Sequence, residues 1–292
     1  MTIRITIDVF SGRPNPSVDL DGRESAEVLD RLMPVRRLAE DEPGLPTEPT
    51  LGYRGLVVEQ TEDRRAELPD VFRVVGGDVF GRGLAHRARD ERAEDYLIGA
   101  DSPLRRANVD QAVMERLPEE AERFRDLRRS WPIVFPPIPF WPPCCPCGPI
   151  YEPSWWNVSS RQPSNNCYNY ATNYRTDTFA QPGQAAGAIY TSLSCGSVGP
   201  AAVADELIDT PDADNACPTV GHLVALVVWP GVDFHWYRKG RDGWWSHKPG
   251  STPVTNVDNS GNYISDPRYA NRGPYTDFCT FMVVMHGHIK IS

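Results

Sequence analysis

The chain has 292 residues, is 40% hydrophobic and carries a net charge of −9, with a pI near 5.2. This is enough apolar content for buried cores in one large domain or two ordinary ones, and the acidic balance argues against nucleic acid, whose binders present a basic face. No apolar run is long enough to span a bilayer, and the opening Met1-Thr2-Ile3-Arg4-Ile5-Thr6-Ile7-Asp8 alternates like a strand instead of forming a signal-peptide block, so the expectation is a cytoplasmic chain or one exported by a signal-independent route.

Charge divides the chain. About a third of the residues up to Ser130 are Arg, Asp or Glu, whereas the remainder is sparse in charge and rich in Trp, Tyr, Asn and Gly. The shift predicts an α+β fold in two parts: a small charged α+β domain over residues 1–130, a Pro/Cys-rich linker over 131–153, and a second domain over 154–292. In the first, a strand is expected over Ile3–Phe10, stopped by Ser11-Gly12-Arg13-Pro14-Asn15-Pro16. Gly, Pro and Asn there already serve turn geometry, so a rigid turn is favoured over a ligand loop. A helix over Ser25–Met33, strands over Gly55–Gln60 and Val71–Val75, and helices over Arg89–Leu97 and Asn108–Arg129 follow; Val109, Val113, Leu117 and Phe124 recur at helical spacing on the last. His86 sits among charged neighbours without a partner motif and is expected at the surface. Nothing in this domain demands chemistry, and a protein-partner or specificity role is the reading left for it. From Trp131 to Pro143 the prolines predict an extended, polyproline-type connection.

In the second domain, Asn165 or Asn166 is placed to cap a helix whose first turn carries Cys167 and which continues through Tyr170, Ala171 and Tyr174. A thiol there meets the positive end of the helix dipole, which favours thiolate. A second helix is expected over Val198–Ile208. The apolar run Gly221–Trp229 reads as a strand buried on both faces; Pro230-Gly231 turns the chain into a strand over Asp233–Arg238, and Gly240-Arg241-Asp242-Gly243 turns it into Trp244–Lys248. With Gly240 facing Gly243, His235 falls opposite Lys248 and His247 points to the other face; a slip of one residue reverses the choice.

Cys167 and His235 are therefore the candidate nucleophile and base, because a thiol attacks carbonyl carbon as thiolate and needs a base that later protonates the leaving group. His247 is the alternative base. Asn256 is the leading candidate to orient the imidazole, with Asp258 second, and Gln162 with the backbone amide of Cys167 is the candidate oxyanion donor. The order of a helix-borne cysteine followed by a strand histidine, over roughly Ser160 to Ile291, resembles the papain-like superfamily and its NlpC/P60-type amidases and peptidases. That resemblance implies hydrolysis or transfer at an amide or thioester, acting on a peptide or cell-wall fragment. The segment Asn166-Cys167-Tyr168-Asn169-Tyr170 departs from the Asp or Gly-Ser usual around such cysteines, and His222 adds a second histidine; the string Trp245-Ser246-His247-Lys248-Pro249-Gly250 resembles one in bacterial proteins that carry an Asn-Cys-Tyr-Asn-Tyr-Ala segment, a resemblance that implies no activity.

The chain has seven cysteines, an odd count that leaves at least one thiol free in any fully paired scheme, with Cys167 the candidate. Cys144, Cys145 and Cys147 form the competing chemical feature. Three thiols within four positions supply two ligands to zinc or an iron–sulfur cluster, but a closed site needs four, so Cys195, Cys217 and Cys279 would have to complete it singly. In an exported protein the same residues are expected to form disulfides. The readings set against the hydrolase are thus a non-enzymatic binding or toxin-associated module clasped by the Cys-rich loop, with Trp155, Trp156, Trp229, Trp236, Trp244 and Trp245 as core or ligand surface, and a metal-binding protein. No cofactor motif is present, and no cofactor is expected.

Overall fold

The computed structural model describes residues 2–38, 49–81, 84–107, 109–130 and 143–292. The expected extended linker over 131–142 and the helix start at Asn108 lie outside the described residues. The fold is a mixture of helix and antiparallel sheet, of the α+β class. It divides into two compact units, one of Met1–Val9, Asn15–Thr47 and Tyr53–Ser130, the other of Phe10–Pro14, Glu48–Gly52 and Trp131–Ser292. Ser11 to Pro14 of the turn string after the first strand therefore belong to the second unit, and Asn15 and Pro16 to the first.

The first unit contains β1 (Thr2–Ile7), β2 (Ser17–Asp21), α1 (Gly22–Leu32), β3 (Pro34–Arg37), β4 (Leu56–Glu62), β5 (Val71–Val75), β6 (Asp78–Gly81), β7 (Leu84–Ala88), α2 (Ala93–Ile98), α3 (Pro103–Arg106) and α4 (Gln111–Ser130). The strands form one sheet in the order β2-β1-β4-β5-β6-β7-β3. Alternation decides its faces: Ile3, Ile5 and Ile7 are buried and the residues between them are not. β5 and β6 are joined across Gly76 and Gly77, both at positive φ (59° and 91°), as the tight hairpin turn that matches strand twist requires. α4 buries Val113, Met114, Leu117, Ala121 and Phe124 at three- and four-residue spacing and runs through Pro118. Asp8 is buried between Arg54 (2.6 Å) and Arg73 (2.8 Å); burial pushes its carboxyl up, but the two guanidiniums more than offset this and hold it well below the usual range.

His86 is buried, against expectation, and its Nε2 faces the Leu32 carbonyl at 3.3 Å. The reason is alternation along β7, which turns His86 and Ala88 inward and leaves Arg87 partly exposed. The charged neighbour Arg87, part of the pattern that suggested a surface position, lies on the outer face of that strand.

The second unit contains α5 (Pro153–Trp156), α6 (Cys167–Thr172), α7 (Cys195–Ala204), β8 (Ile208–Asp209), β9 (His222–Trp229), β10 (Asp233–Lys239), β11 (Trp245–His247) and β12 (Asp277–Val284). The antiparallel order β11-β10-β9-β12-β8 puts β9 and β10 in the interior of the sheet, and every residue of both is buried. Tyr168 and Ala171 of α6 and Val198 and Ala202 of α7 pack with Val224, Leu226, Val228, Phe234, Trp236 and Met282 as one apolar core.

The turn between β10 and β11 differs from expectation by one residue. Gly240 N–H donates to the Trp244 carbonyl at 2.8 Å, and Gly243 takes the left-handed conformation, φ 82°, which lengthens the loop. The pairs become Tyr237↔His247, Arg238↔Ser246 and Lys239↔Trp245. That shift brings His247 to the face occupied by His235 and Tyr237, where the sequence had placed only one of the two histidines.

Candidate functional site

The turn carrying Cys167 is fixed by asparagines. Asn166 Oδ1 accepts from the amides of Tyr168 (3.0 Å) and Asn169 (3.1 Å), and Asn169 Oδ1 accepts from the Asn166 amide (3.1 Å), a reciprocal cap. Asn166 Nδ2 donates to the carbonyls of Gly12 and Ala180, both at 2.7 Å. The cap thus also ties down the Phe10–Pro14 loop, whose next partner is Asp233. That carboxylate accepts from the consecutive amides of Ser11 (2.6 Å), Gly12 (3.2 Å) and Arg13 (3.2 Å) and from the Tyr275 hydroxyl (2.6 Å). Burial pushes the Asp233 carboxyl up, against the hydrogen bonds from Tyr275 and from the amides of Ser11, Gly12 and Phe234 that favour the ionised form.

This frame places a hydrogen-bonded chain in the interior. The Cys167 thiol lies against the Ser11 hydroxyl and the Trp236 backbone; Ser11 Oγ is bonded to His235 Nδ1; His235 Nε2 is 2.9 Å from His247 Nδ1; and His247 Nε2 is 3.0 Å from the Val257 carbonyl. Cys167, Ser11, His235 and His247 are all at 0% exposure. The carbonyl only accepts, so His247 carries its proton on Nε2. Burial pulls the His247 imidazole down to about 4, so it is neutral and its Nδ1 accepts from His235 Nε2–H. The other ring nitrogen of His235, Nδ1, is bonded to the Ser11 hydroxyl, which also touches the Cys167 sulfur. The rings of Tyr237 and His247 lie 4.8 Å apart, with that of His235 edge-on to Tyr237 at 4.7 Å.

The chemistry of such a chain is conservative. Burial pushes the Cys167 thiol well above its ordinary value, and the Asp233 charge pushes it further. A helix of six residues does not reverse this. Moving the thiol proton toward the imidazoles would create a buried thiolate and a buried imidazolium together. The cysteine is a satisfied, protonated interior thiol.

Other candidates lie elsewhere. Gln162 Nε2 donates to the Ser251 carbonyl (3.2 Å) and so is aimed away from an oxyanion role at Cys167. The Val257 carbonyl takes the second nitrogen of His247, where Asn256 was expected to orient an imidazole. Asp258 accepts from the amides of Ser260, Asn262 and Asn271 at 2.8–3.0 Å and organises its own loop. His222 donates from Nε2 to the Ala171 carbonyl at 2.7 Å, and burial pulls it down to about 3. Ser11 and Asp233, which complete the arrangement, carry no local signal: the string around Ser11 reads as a turn, and its partners lie more than 200 positions away.

The remaining cysteines are divided by pairing. Cys145 is bonded to Cys217 and Cys195 to Cys279, closing segments of 72 and 84 residues. Four of the six proposed metal or disulfide residues are therefore withdrawn from metal ligation, while Cys144 and Cys147 are free and exposed. Among the described residues no group of three or more His, Cys, Asp or Glu is placed to hold a metal ion.

No family model matches the chain, and no solved structure matches it. Insoluble matrix shell protein 1 of Ruditapes philippinarum is 49% identical to it over 140 residues, which is 47% of this chain and 91% of the relative. The chain belongs to the family of that protein. Membership of the insoluble matrix shell protein 1 family overturns the expectation of a cysteine hydrolase or acyltransferase, together with the peptidase, amidase, bacterial and toxin readings attached to it. The interior position of Cys167 is the physical counterpart of that correction, and the peptide or amide substrate expected as partner has no support. Among the described residues no helix is long and apolar enough to cross a membrane. The cytoplasmic expectation finds no support either: the relative is a shell-matrix protein, and stable disulfides are rare in a reducing cytosol.

Proposed function

We propose that the chain is a non-enzymatic, disulfide-braced component of an insoluble extracellular matrix. The observation that carries this reading is the 49% identity extending over 91% of insoluble matrix shell protein 1. Two features support it. The bridges close segments of 72 and 84 residues, and constraining loops of that length stabilises a fold by roughly 4 kcal/mol each in the chain-entropy account. The thiol best placed for catalysis by sequence is held protonated in the core. For the fold of the second unit we read a papain-like arrangement put to non-catalytic use; in its favour, Cys167 opens α6 and His235 lies on an interior antiparallel strand.

The test is fractionation of the producing organism's extracellular material with an antibody to this chain. The chain is expected in the residue left after detergent and chaotrope extraction without reductant. Its recovery in the soluble extract would contradict the proposal.

A further inference from the structure

We propose that Cys144 and Cys147 are a pair of interchain cross-linking thiols, so that each copy of the chain is a bifunctional unit able to join two others through disulfides. This goes beyond the matrix reading, because it names the bond and the partner, a second copy.

The argument begins with the loop. Cys145 is buried and bonded to Cys217. Its amide donates to the Arg241 carbonyl at 2.9 Å, Gly148 N–H returns to the Cys145 carbonyl at 2.8 Å, and Arg241 N–H donates to the Pro149 carbonyl at 2.9 Å. A Cβ on Gly148 would lie 2.8 Å from the backbone of Gly240 and Arg241, so the segment is pressed against the β10–β11 turn. With Cys145 and Gly148 held inward, Cys144 and Cys147 on either side are exposed. Cys147 Sγ donates to the Thr219 carbonyl at 3.5 Å and remains exposed.

Thiol count supplies the second step. A chain that keeps two intrachain disulfides matures under oxidising conditions, where exposed thiols do not persist. Exchange within the chain, such as attack of Cys147 on the Cys145–Cys217 bridge, moves the bond but conserves the number of free thiols. Cys167 is sealed in the core and does not compete. Cys144 and Cys147 therefore have each other or another chain.

The oxidant is a low-molecular-weight disulfide. The thiolate of one chain attacks it, forming a mixed disulfide and releasing one small thiol; a thiolate of a second chain then attacks the protein sulfur and releases the other. In sum, two protein thiols and one small disulfide give one interchain bond and two small thiols, with the two electrons passed to the small disulfide. Two such thiols per chain give linear polymers, whereas one gives only dimers.

The experiment oxidises the purified full chain with oxidised glutathione and follows it by non-reducing electrophoresis and peptide mapping, for wild type, Cys144→Ser, Cys147→Ser and the double variant. Expected are a ladder extending beyond dimers in wild type that collapses on reduction, dimers at most in either single variant, and monomer in the double variant. A wild type that stays monomeric, whether with a Cys144–Cys147 bridge or with both thiols still alkylatable, overturns the proposal, as does a wild type that stops at dimers. Failure here, with the chain still found in the insoluble residue of the organism, would sink the cross-link alone and leave the matrix reading standing.

Discussion

At the scale of single residues, the interior of the second unit is governed by where protons sit. His247 and His222 are neutral because burial removes the solvation an imidazolium needs, and each spends its Nε2 proton on a backbone carbonyl. This has a pH consequence whose sign is fixed. The unfolded imidazole titrates near 6.5, and that of His222 in the fold is pulled down to about 3. Between those values the unfolded chain binds the proton and the folded chain does not, so the stability His222 contributes is present above about pH 6.5 and is lost as the pH falls toward 3. The variant His222→Gln keeps an amide donor for the Ala171 carbonyl but has no proton to gain. Between pH 7 and 5, wild type is expected to lose roughly 2 kcal/mol relative to that variant in urea unfolding. Parallel pH profiles for the two proteins would show that His222 is not buried neutral.

At the scale of elements, the loop Phe10–Pro14 and strand β10 depend on one another. The loop wraps the Asp233 carboxylate with three amides, and Gly12 is the point of closest approach: a Cβ there would fall 2.4 Å from the Phe234 ring, which is wholly buried. Gly12→Ala is expected to destabilise the second unit by about 1–3 kcal/mol through overpacking, read as a lowered denaturation midpoint; an unchanged midpoint would mean that the loop does not pack on β10. The same two elements show what could be read from sequence. The continuous apolar run of β9 announced a strand covered on both faces, and Asn166 announced the cap of α6, because both signals are local. The pairing of β10 with β11 was misplaced by one residue because Gly243 at positive φ lengthens the turn, a conformational choice that composition does not specify. Ser11 and Asp233 were missed for a different reason: their contact joins positions 222 apart, and only the folded chain brings them together. In the first unit β2, β3, β6 and β7 are strands of four or five residues, several with charged side chains, and too short to show periodicity.

At the scale of the whole molecule, the cysteines are sorted into three environments. Four are locked in two bridges, two are free at the surface, and one is sealed in the core. This sorting fits the proposed matrix role better than that of a thiol enzyme. An enzyme of that kind requires its nucleophile to be accessible and ionisable, whereas here the accessible thiols lie on the Cys144–Cys147 loop and the one beside the histidines is inaccessible. The family relation to an insoluble shell-matrix protein and the placement of the thiols thus point the same way.

The most direct measurement is alkylation of the native, unreduced protein with iodoacetamide near neutral pH, mapped by mass spectrometry before and after unfolding. The account predicts rapid labelling of Cys144 and Cys147, labelling of Cys167 only once the chain is unfolded, and labelling of Cys145, Cys195, Cys217 and Cys279 only after reduction. Rapid labelling of Cys167 in the folded protein would contradict the account at its centre, because it would show an accessible thiolate where the structure places a buried thiol.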